Sequence, residues 1–162
     1  MKIFHLSDLH IGKLLHSYSL RKNQEAMLQQ IIENAIKHRP EVILISGDVF
    51  DKSVPSGEAY TIFDQFLNQL AAIRPCIPVL IIAGNHDNAE RLNYASTFLE
   101  KHQIYVSVLP PQEKEEKIKK VTLQDEFGEV DFYLLPFLKP GYVRHLFDDG
   151  VVTTYNSAVK AM

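Results

Sequence analysis

Apolar and polar positions alternate along this chain with two different periods. Short apolar runs stand at Lys2–Leu6, Val42–Ser46, Val79–Ala83 and Ile104–Val108, and each has the length of a strand. Between them, apolar residues recur every three or four positions. From Leu20 to His38 these are Met27, Leu28, Ile31, Ile32, Ala35 and Ile36, and Pro40 stops the helix they predict. From about Ser56 to Ile73 they are Ala59, Phe63, Phe66, Leu67 and Leu70 on one face, and the segment RPCIP breaks that helix. A third helix is predicted over Ala89–His102. The resulting alternation of strands and helices predicts an α/β fold with helices packed on a parallel sheet. Strands this uniformly apolar belong to a sheet covered on both faces.

The second part of the chain reads differently. PPQEKEEKIKK (Pro110–Lys120) is a charged, solvated connector. Val121–Gln124 and Val130–Phe137 flank EFGE and predict a β-hairpin. After LKPGYVRHLFDDG, the stretch VVTTYNSAVKAM begins another helix. The 162 residues suggest one domain, large enough to bury about 70% of its unfolded surface without staples.

Composition narrows the class. MKIFHLSDLH has too few apolar residues before its first Asp for a secretory core, and the longest fully apolar run, Val79–Ala83, is too short to cross a membrane. The single cysteine, Cys76, permits no intramolecular disulfide and is expected to be a buried thiol in a reducing cytosol. We therefore expect a soluble cytoplasmic protein. A net charge of −3 gives no electrostatic support for a nucleic-acid partner, unless metal ions mediate the contact.

The chemistry gathers where the strands end. SDLH follows the first strand, GDVFD the second and GNHD the third. In a parallel α/β sheet the carboxyl ends of the strands form one edge, where ligands bind. Asp8, His10, Asp48, Asp51, Asn85, His86 and Asp87 should therefore lie close together. Like charges so placed repel unless a cation sits between them. Carboxylate, imidazole and amide oxygen together suit Mn²⁺, Fe²⁺ or Zn²⁺ better than Ca²⁺. Gly47 and Gly84 allow the sharp turns that such convergence needs. One Asp-x-His alone is what a capped turn looks like, and Asn-His-Asp can simply cap a helix. All three loops, each at a strand end, point to a metal. Asp51 and Asp87 are either carboxylates that orient a metal-binding histidine or plain turn residues. His5 is expected to pack within its strand, and His16, His38, His102 and His145 to sit at the surface or at helix ends.

With those loops in view, the chain resembles the calcineurin-like metallophosphoesterases, and among them the bacterial SbcD-type nuclease subunits. The resemblance rests on SDLHIGKLLH, PEVILISGDVFDKSVPS, PVLIIAGNHDNAERLNYAS, VDFYLLPFLKP and VRHLF, and so runs along nearly the whole chain. It implies a β-sheet sandwich flanked by helices. It also implies a nuclease with two divalent ions, usually Mn²⁺ (Fe²⁺, Zn²⁺ and Mg²⁺ being the alternatives), acting on DNA phosphodiesters as exonuclease and endonuclease. The partner implied is an SbcC-type ATPase with a long coiled coil, and a homodimer is a further arrangement open to it. By this resemblance Asp8 and His10 bind the first ion, Asp48 bridges the two, and Asn85 binds the second. His86 is then no ligand but stabilises the transition state or protonates the leaving 3′ oxygen. Lys13, Lys52 and Arg91 follow the three loops and are candidates for DNA phosphate contacts.

The sequence departs from the family in two respects: archaeal and eukaryotic members carry a His where Asp51 stands, so no histidine role passes to Asp51, and the second departure matters more. No Gly-His pair occurs in the chain, so the family's later Gly-His and Gly-His-x-His motifs are not found. Residues 1–162 are accordingly expected to be the N-terminal part of a nuclease domain, binding metal weakly and cleaving DNA poorly when isolated. Two other readings stand beside this one. The first is a small calcineurin-like phosphodiesterase or phosphatase acting on a nucleotide or lipid-linked substrate. The second is a non-catalytic scaffold that retains the fold.

Overall fold

The apolar runs pair in chain order. A computed structural model describes residues 1–162. Strand β1 (Ile3–Leu6) leads into a small ribbon of β2 (Leu14–Leu15) and β3 (Tyr18–Ser19), then helix α1 (Arg21–His38). Strand β4 (Val42–Ser46), helix α2 (Gly57–Ala72) and strand β5 (Val79–Ile82) follow. Two short helices, α3 (Ala89–Leu92) and α4 (Ser96–Glu100), precede strand β6 (Ile104–Ser107). A hairpin of β7 (Lys119–Asp125) and β8 (Gly128–Leu134) comes next, and α5 (Pro140–Val143), a 3₁₀ turn at Arg144–Leu146 and α6 (Tyr155–Ala161) complete the chain.

Strands β1, β4, β5 and β6 form one parallel sheet in that spatial order. Crossovers of one hand that always step in the same direction place the connecting helices α1 to α4 on the same face, while α5 and α6 pack in a separate cluster around Leu138 and Val152. The core follows that rule. Leu28, Ile32 and Ala35 of α1 and Ile62, Phe66 and Leu70 of α2 pack with Ile43, Ile45, Val79, Ile81, Ile104 and Val106 of the strands. Each of the Leu, Ile, Val and Phe side chains, fully buried, stabilises the fold by about 1.5–3 kcal/mol. The alternate strand residues, Val42, Leu44, Leu80, Ile82 and Tyr105, face the other way and meet Val121, Leu123, Phe132 and Leu134 of the hairpin. The chain is thus an α/β sandwich: helices on one face of a parallel sheet, a β-ribbon on the other.

Several local features differ from the sequence expectation. The third helix breaks at Asn93–Ala95, where Ala95 takes a φ of 60°. Asn, Tyr and Ser are weak helix formers, and the capped turn at Asn88 closes without propagating. Strand β8 ends at Leu134, short of Phe137, because the chain there turns back to the sheet and the Phe137 N–H donates to the Ala83 carbonyl at 2.9 Å. The loop after His10 contains the β2–β3 ribbon, turned by His16 and Ser17 at φ 46° and 70°. His5 is exposed rather than packed: β1 is the edge strand, and the hairpin lies over its neighbours. Its Nε2 is 2.9 Å from Ser46 Oγ. Cys76 is half-buried rather than enclosed. No helix is long and apolar enough to cross a membrane.

Candidate metal centre

The loops that end β1 and β4 are held in unusual backbone conformations. Asp8, His10 and Asp48 all lie in the left-handed region, with φ of 55°, 43° and 48°. Each non-glycine residue there costs about 1–3 kcal/mol and persists only where the surroundings enforce it. The enforcement is visible. The Asp8 N–H donates to the Gly47 carbonyl at 3.2 Å, His10 N–H to Asp48 at 2.9 Å and Ile11 N–H to Val49 at 2.9 Å, so the two loops run on as a ladder beyond their strands. Gly84 supplies space. A Cβ at that position would stand 2.1 Å from Asp48 Oδ1 and 2.2 Å from the Asp48 backbone nitrogen, so only glycine lets Asp48 lie against the GNHD loop.

The side chains converge as the strand ends predict. His10 Nε2 lies 3.8 Å from Asp8 Oδ1 and also 3.8 Å from Asp48 Oδ2. His10, Asp48 and His86 offer donor atoms within 4.8 Å of one another. The His10 and His86 rings meet edge-on with centroids 4.9 Å apart. Asp8 is the open side of the cluster, its side chain 66% exposed against 11% for Asp48. Asn85 is exposed in the same loop, between Gly84 and His86.

The remaining acidic residues divide by what they touch. The Asp87 carboxylate accepts three backbone N–H groups: Val49 at 3.1 Å, Phe50 at 3.0 Å and Gly84 at 2.8 Å. It ties the GDVFD loop to the GNHD loop, and both its oxygens are engaged. Asp51 Oδ1 stands 3.5 Å from His10 Nδ1 and 3.3 Å from Lys13 Nζ. The Asp51 carbonyl accepts from His86 Nδ1 at 2.8 Å; a carbonyl can only accept, so Nδ1 carries the proton and Nε2 is the ring's free nitrogen. The His86 N–H in turn donates to Asp48 Oδ1 at 2.9 Å.

The candidate phosphate contacts are dispersed. Lys13 is paired with Asp51. Lys52 lines a cleft of about 480 Å³ with Arg21, Ser56 and Glu58. Arg91 lines a separate, mainly apolar cavity of about 290 Å³ with Phe63 and Phe98. One residue bonded to the site carries no motif: Gln24, a buried polar position on α1 that the helical pattern marks only as a place before the apolar stripe begins.

The donor set fits a divalent cation. Two ligands each about 2.1 Å from one ion stand roughly 3–4 Å apart. The 3.8 Å gaps on either side of His10 Nε2 have that spacing and are too long for hydrogen bonds. His10 Nδ1 is buried without a hydrogen-bond partner, an arrangement that leaves this ring incompletely satisfied by protein alone.

Comparison with known proteins agrees with this geometry. Residues 1–155 match the calcineurin-like phosphoesterase family. Among curated proteins, the chain is 36% identical over 159 residues to the SbcD subunit of the nuclease SbcCD from Staphylococcus saprophyticus. It is 35% identical over 159 residues to the protein of the same name from Staphylococcus epidermidis. Each alignment covers 98% of this chain and 40% of the relative, so the chain spans well under half the length of the proteins it matches. A family match over nearly the whole chain, with its acidic and histidine-bearing loops at the ends of β1, β4 and β5, means that this chain belongs to the calcineurin-like phosphoesterases.

Proposed function

We propose that the chain is part of an SbcD-type DNA nuclease. In this reading it hydrolyses DNA phosphodiesters, as exonuclease and endonuclease, during end and hairpin processing in repair and recombination. It works in the cytoplasm with an SbcC-type ATPase. The observation that carries the reading is the placement of His10 Nε2 at 3.8 Å from both the Asp8 and the Asp48 carboxylate. The names of the two relatives, matched over 98% of this chain, support the choice of nuclease over other phosphoesterases.

In this reading Asp8 and His10 would hold one ion, Asp48 would serve both, and Asn85 would contribute to the second, with Mn²⁺ as the preferred metal. Two divalent ions held by these residues would supply charge stabilisation for a phosphoryl group and a lowered pKa for a water molecule. The protein's own contributions follow from its hydrogen bonds. With Nε2 of His10 committed to an ion, Nδ1 must carry the ring proton, and Asp51 is the acceptor at hand, 3.5 Å away. His86, oriented by the Asp51 carbonyl, keeps Nε2 free to donate to a phosphate oxygen or the leaving 3′ oxygen when the ring is protonated. Asp87 shapes the loops and binds no ion. Lys52, which has no carboxylate paired with it, is the better-placed DNA contact; Lys13 first neutralises Asp51, and Arg91 sits by the apolar cavity. Exposed Tyr94 and Phe98 border that cavity and favour self-association through α3–α4.

The test is hydrolysis of a linear duplex beside bis(p-nitrophenyl) phosphate, with Mn²⁺ binding measured in parallel. We expect Mn²⁺ to bind, and turnover of the duplex to be low, Mn²⁺-dependent and above that of the small diester. Preference for the small ester would favour a small-molecule phosphodiesterase, and metal binding without turnover of either would favour a scaffold.

A further inference from the structure

We infer that Gln24 is a positioning residue for the metal loop, fixing the strained segment that presents Asp8 and His10 through three hydrogen bonds from α1. This inference rests on the metal reading of the site.

The reason begins with the backbone. The segment from Asp8 to Gly12 holds three residues at positive φ, namely Asp8, His10 and Gly12. Its N–H groups at Asp8, His10 and Ile11 are bonded to the neighbouring loop. The Leu9 carbonyl and the Gly12 N–H point the other way, toward the helices, where no strand can meet them. Gln24 is the group that does. Its Oε1 accepts from Gly12 N–H at 3.0 Å, and its Nε2 donates to the Leu9 carbonyl at 3.2 Å and the His10 carbonyl at 2.7 Å. The amide orientation is fixed by its partners. A flipped amide would set an oxygen against two carbonyl oxygens and an NH₂ against an N–H.

Gln24 is only 8% exposed, so these bonds do not compete with water. It spans the ligand itself: bonds to residues 9, 10 and 12 bracket His10 on both sides. Gly12 is closed in from a second side, since a Cβ there would stand 3.0 Å from Ala59 Cβ on α2. The loop is thereby pinned against both helices. Fixing the backbone at His10 fixes where Nε2 can stand relative to the two carboxylates. Gln24 touches neither ion nor substrate; it acts through the main chain of a ligand, and its absence would let the left-handed turn relax.

The experiment titrates Mn²⁺ alone into the 162-residue chain, following free Mn²⁺ by electron paramagnetic resonance. The variants are Gln24→Met, Gln24→Glu and Ile32→Val. Methionine keeps the volume and removes all three bonds. Glutamate keeps the acceptor for Gly12 and loses both donors. Ile32→Val trims the core on the same helix and controls for a merely structural loss. We expect Gln24→Met to weaken Mn²⁺ binding by about 10–100-fold, the range for groups that orient a metal ligand. Ile32→Val should lower the melting temperature without changing the affinity. Gln24→Met binding as tightly as the wild type, or weakened no more than Ile32→Val, overturns the inference. Should the methionine variant not fold, the glutamate variant decides by the same criterion. Absence of Mn²⁺ binding to the wild type overturns the metal reading itself, an outcome distinct from retained binding in the Gln24 variants.

Discussion

Two groups of aspartates on this molecule behave in opposite ways. On the β7–β8 hairpin, Asp131 bonds Thr122 Oγ1 at 2.6 Å and pairs with Lys120 at 3.1 Å, and Asp125 accepts the Phe127 N–H at 2.8 Å. Each has its partners, and the backbone around them is ordinary strand. At the carboxyl edge of the parallel sheet, Asp8, Asp48 and Asp51 crowd round one histidine, with Lys13 the one lysine paired there. There Asp8 and Asp48 are held in the left-handed region. The first arrangement is complete as protein. The second is under-neutralised, a defect a cation would relieve, while its strained backbone is held by the ladder between the two loops. A carboxylate's surroundings, more than its presence, separate a structural acid from a ligand.

The sharpest way to break this contrast is to remove the space it needs. A methyl group at position 84 collides with both the Asp48 carboxylate and its backbone nitrogen, and no rotamer of Asp48 relieves the second contact. Gly84→Ala should destabilise the chain by about 3 kcal/mol or more, at the upper end for overpacking. Chemical denaturation measures it, and Mn²⁺ binding should vanish with it. Asp48→Asn separates the two effects. Asn can still accept the His86 N–H, so the loops persist, but the negative charge is gone. Mn²⁺ affinity should fall at least 100-fold, or about 2.7 kcal/mol. The metal-free variant should melt at the same temperature as the wild type or higher, because one of several repelling charges has been removed. A lower melting temperature without metal would mean that Asp48 is a structural acid after all.

Asp87 tests the comparison from within. It belongs by sequence to the metal edge and by bonding to the structural class, with three N–H donors to its two oxygens. Asp87→Asn turns one acceptor into a donor facing N–H groups. A loss of about 2 kcal/mol of stability is expected, within the range for hydrogen bonds to a charged group. Metal affinity should fall less than in Asp48→Asn. The reverse ranking, measured by the same Mn²⁺ titration, would make Asp87 a ligand.

Much of this is legible in the sequence alone. Continuous apolar runs ending in SDLH, GDVFD and GNHD locate the parallel strands and the edge where their loops meet, because strand direction alone decides where the loops go. The helical stripes of α1 and α2 are equally plain. What stays hidden depends on contacts far apart in sequence. Gln24 reads as a solvated position near a helix start, since nothing local says that a loop 12–15 residues earlier needs its amide. Asp87 reads as a cap, since its partners Val49 and Phe50 lie 37–38 residues away. The break at Asn93–Ala95 is invisible because an apolar period of 3.6 continues across it while the backbone does not. His5 misleads because an edge strand and a central strand look alike in sequence.

The smallest effect lies on the hairpin and sharpens the contrast from its other side. Bonds from Thr122 and then Lys120 hold the Asp131 carboxyl below the usual carboxylate range. A folded-state value below the unfolded one means that the charged form favours folding. The contribution is therefore fully present above the unfolded pKa of about 3.9 and is lost as pH falls through the folded value. Because the pair is solvent-exposed, screening by water and salt keeps the contribution small. Asp131→Asn should lower the melting temperature slightly at about pH 7, and the gap to the wild type should close as the pH falls below about 4. Added salt at neutral pH should narrow the same gap, since the Lys120 partnership is screened while the Thr122 bond is not. A gap that neither acid nor salt alters would mean that Asp131 acts by shape alone. Its pairing would then no longer distinguish the hairpin aspartates from those crowded at the sheet edge.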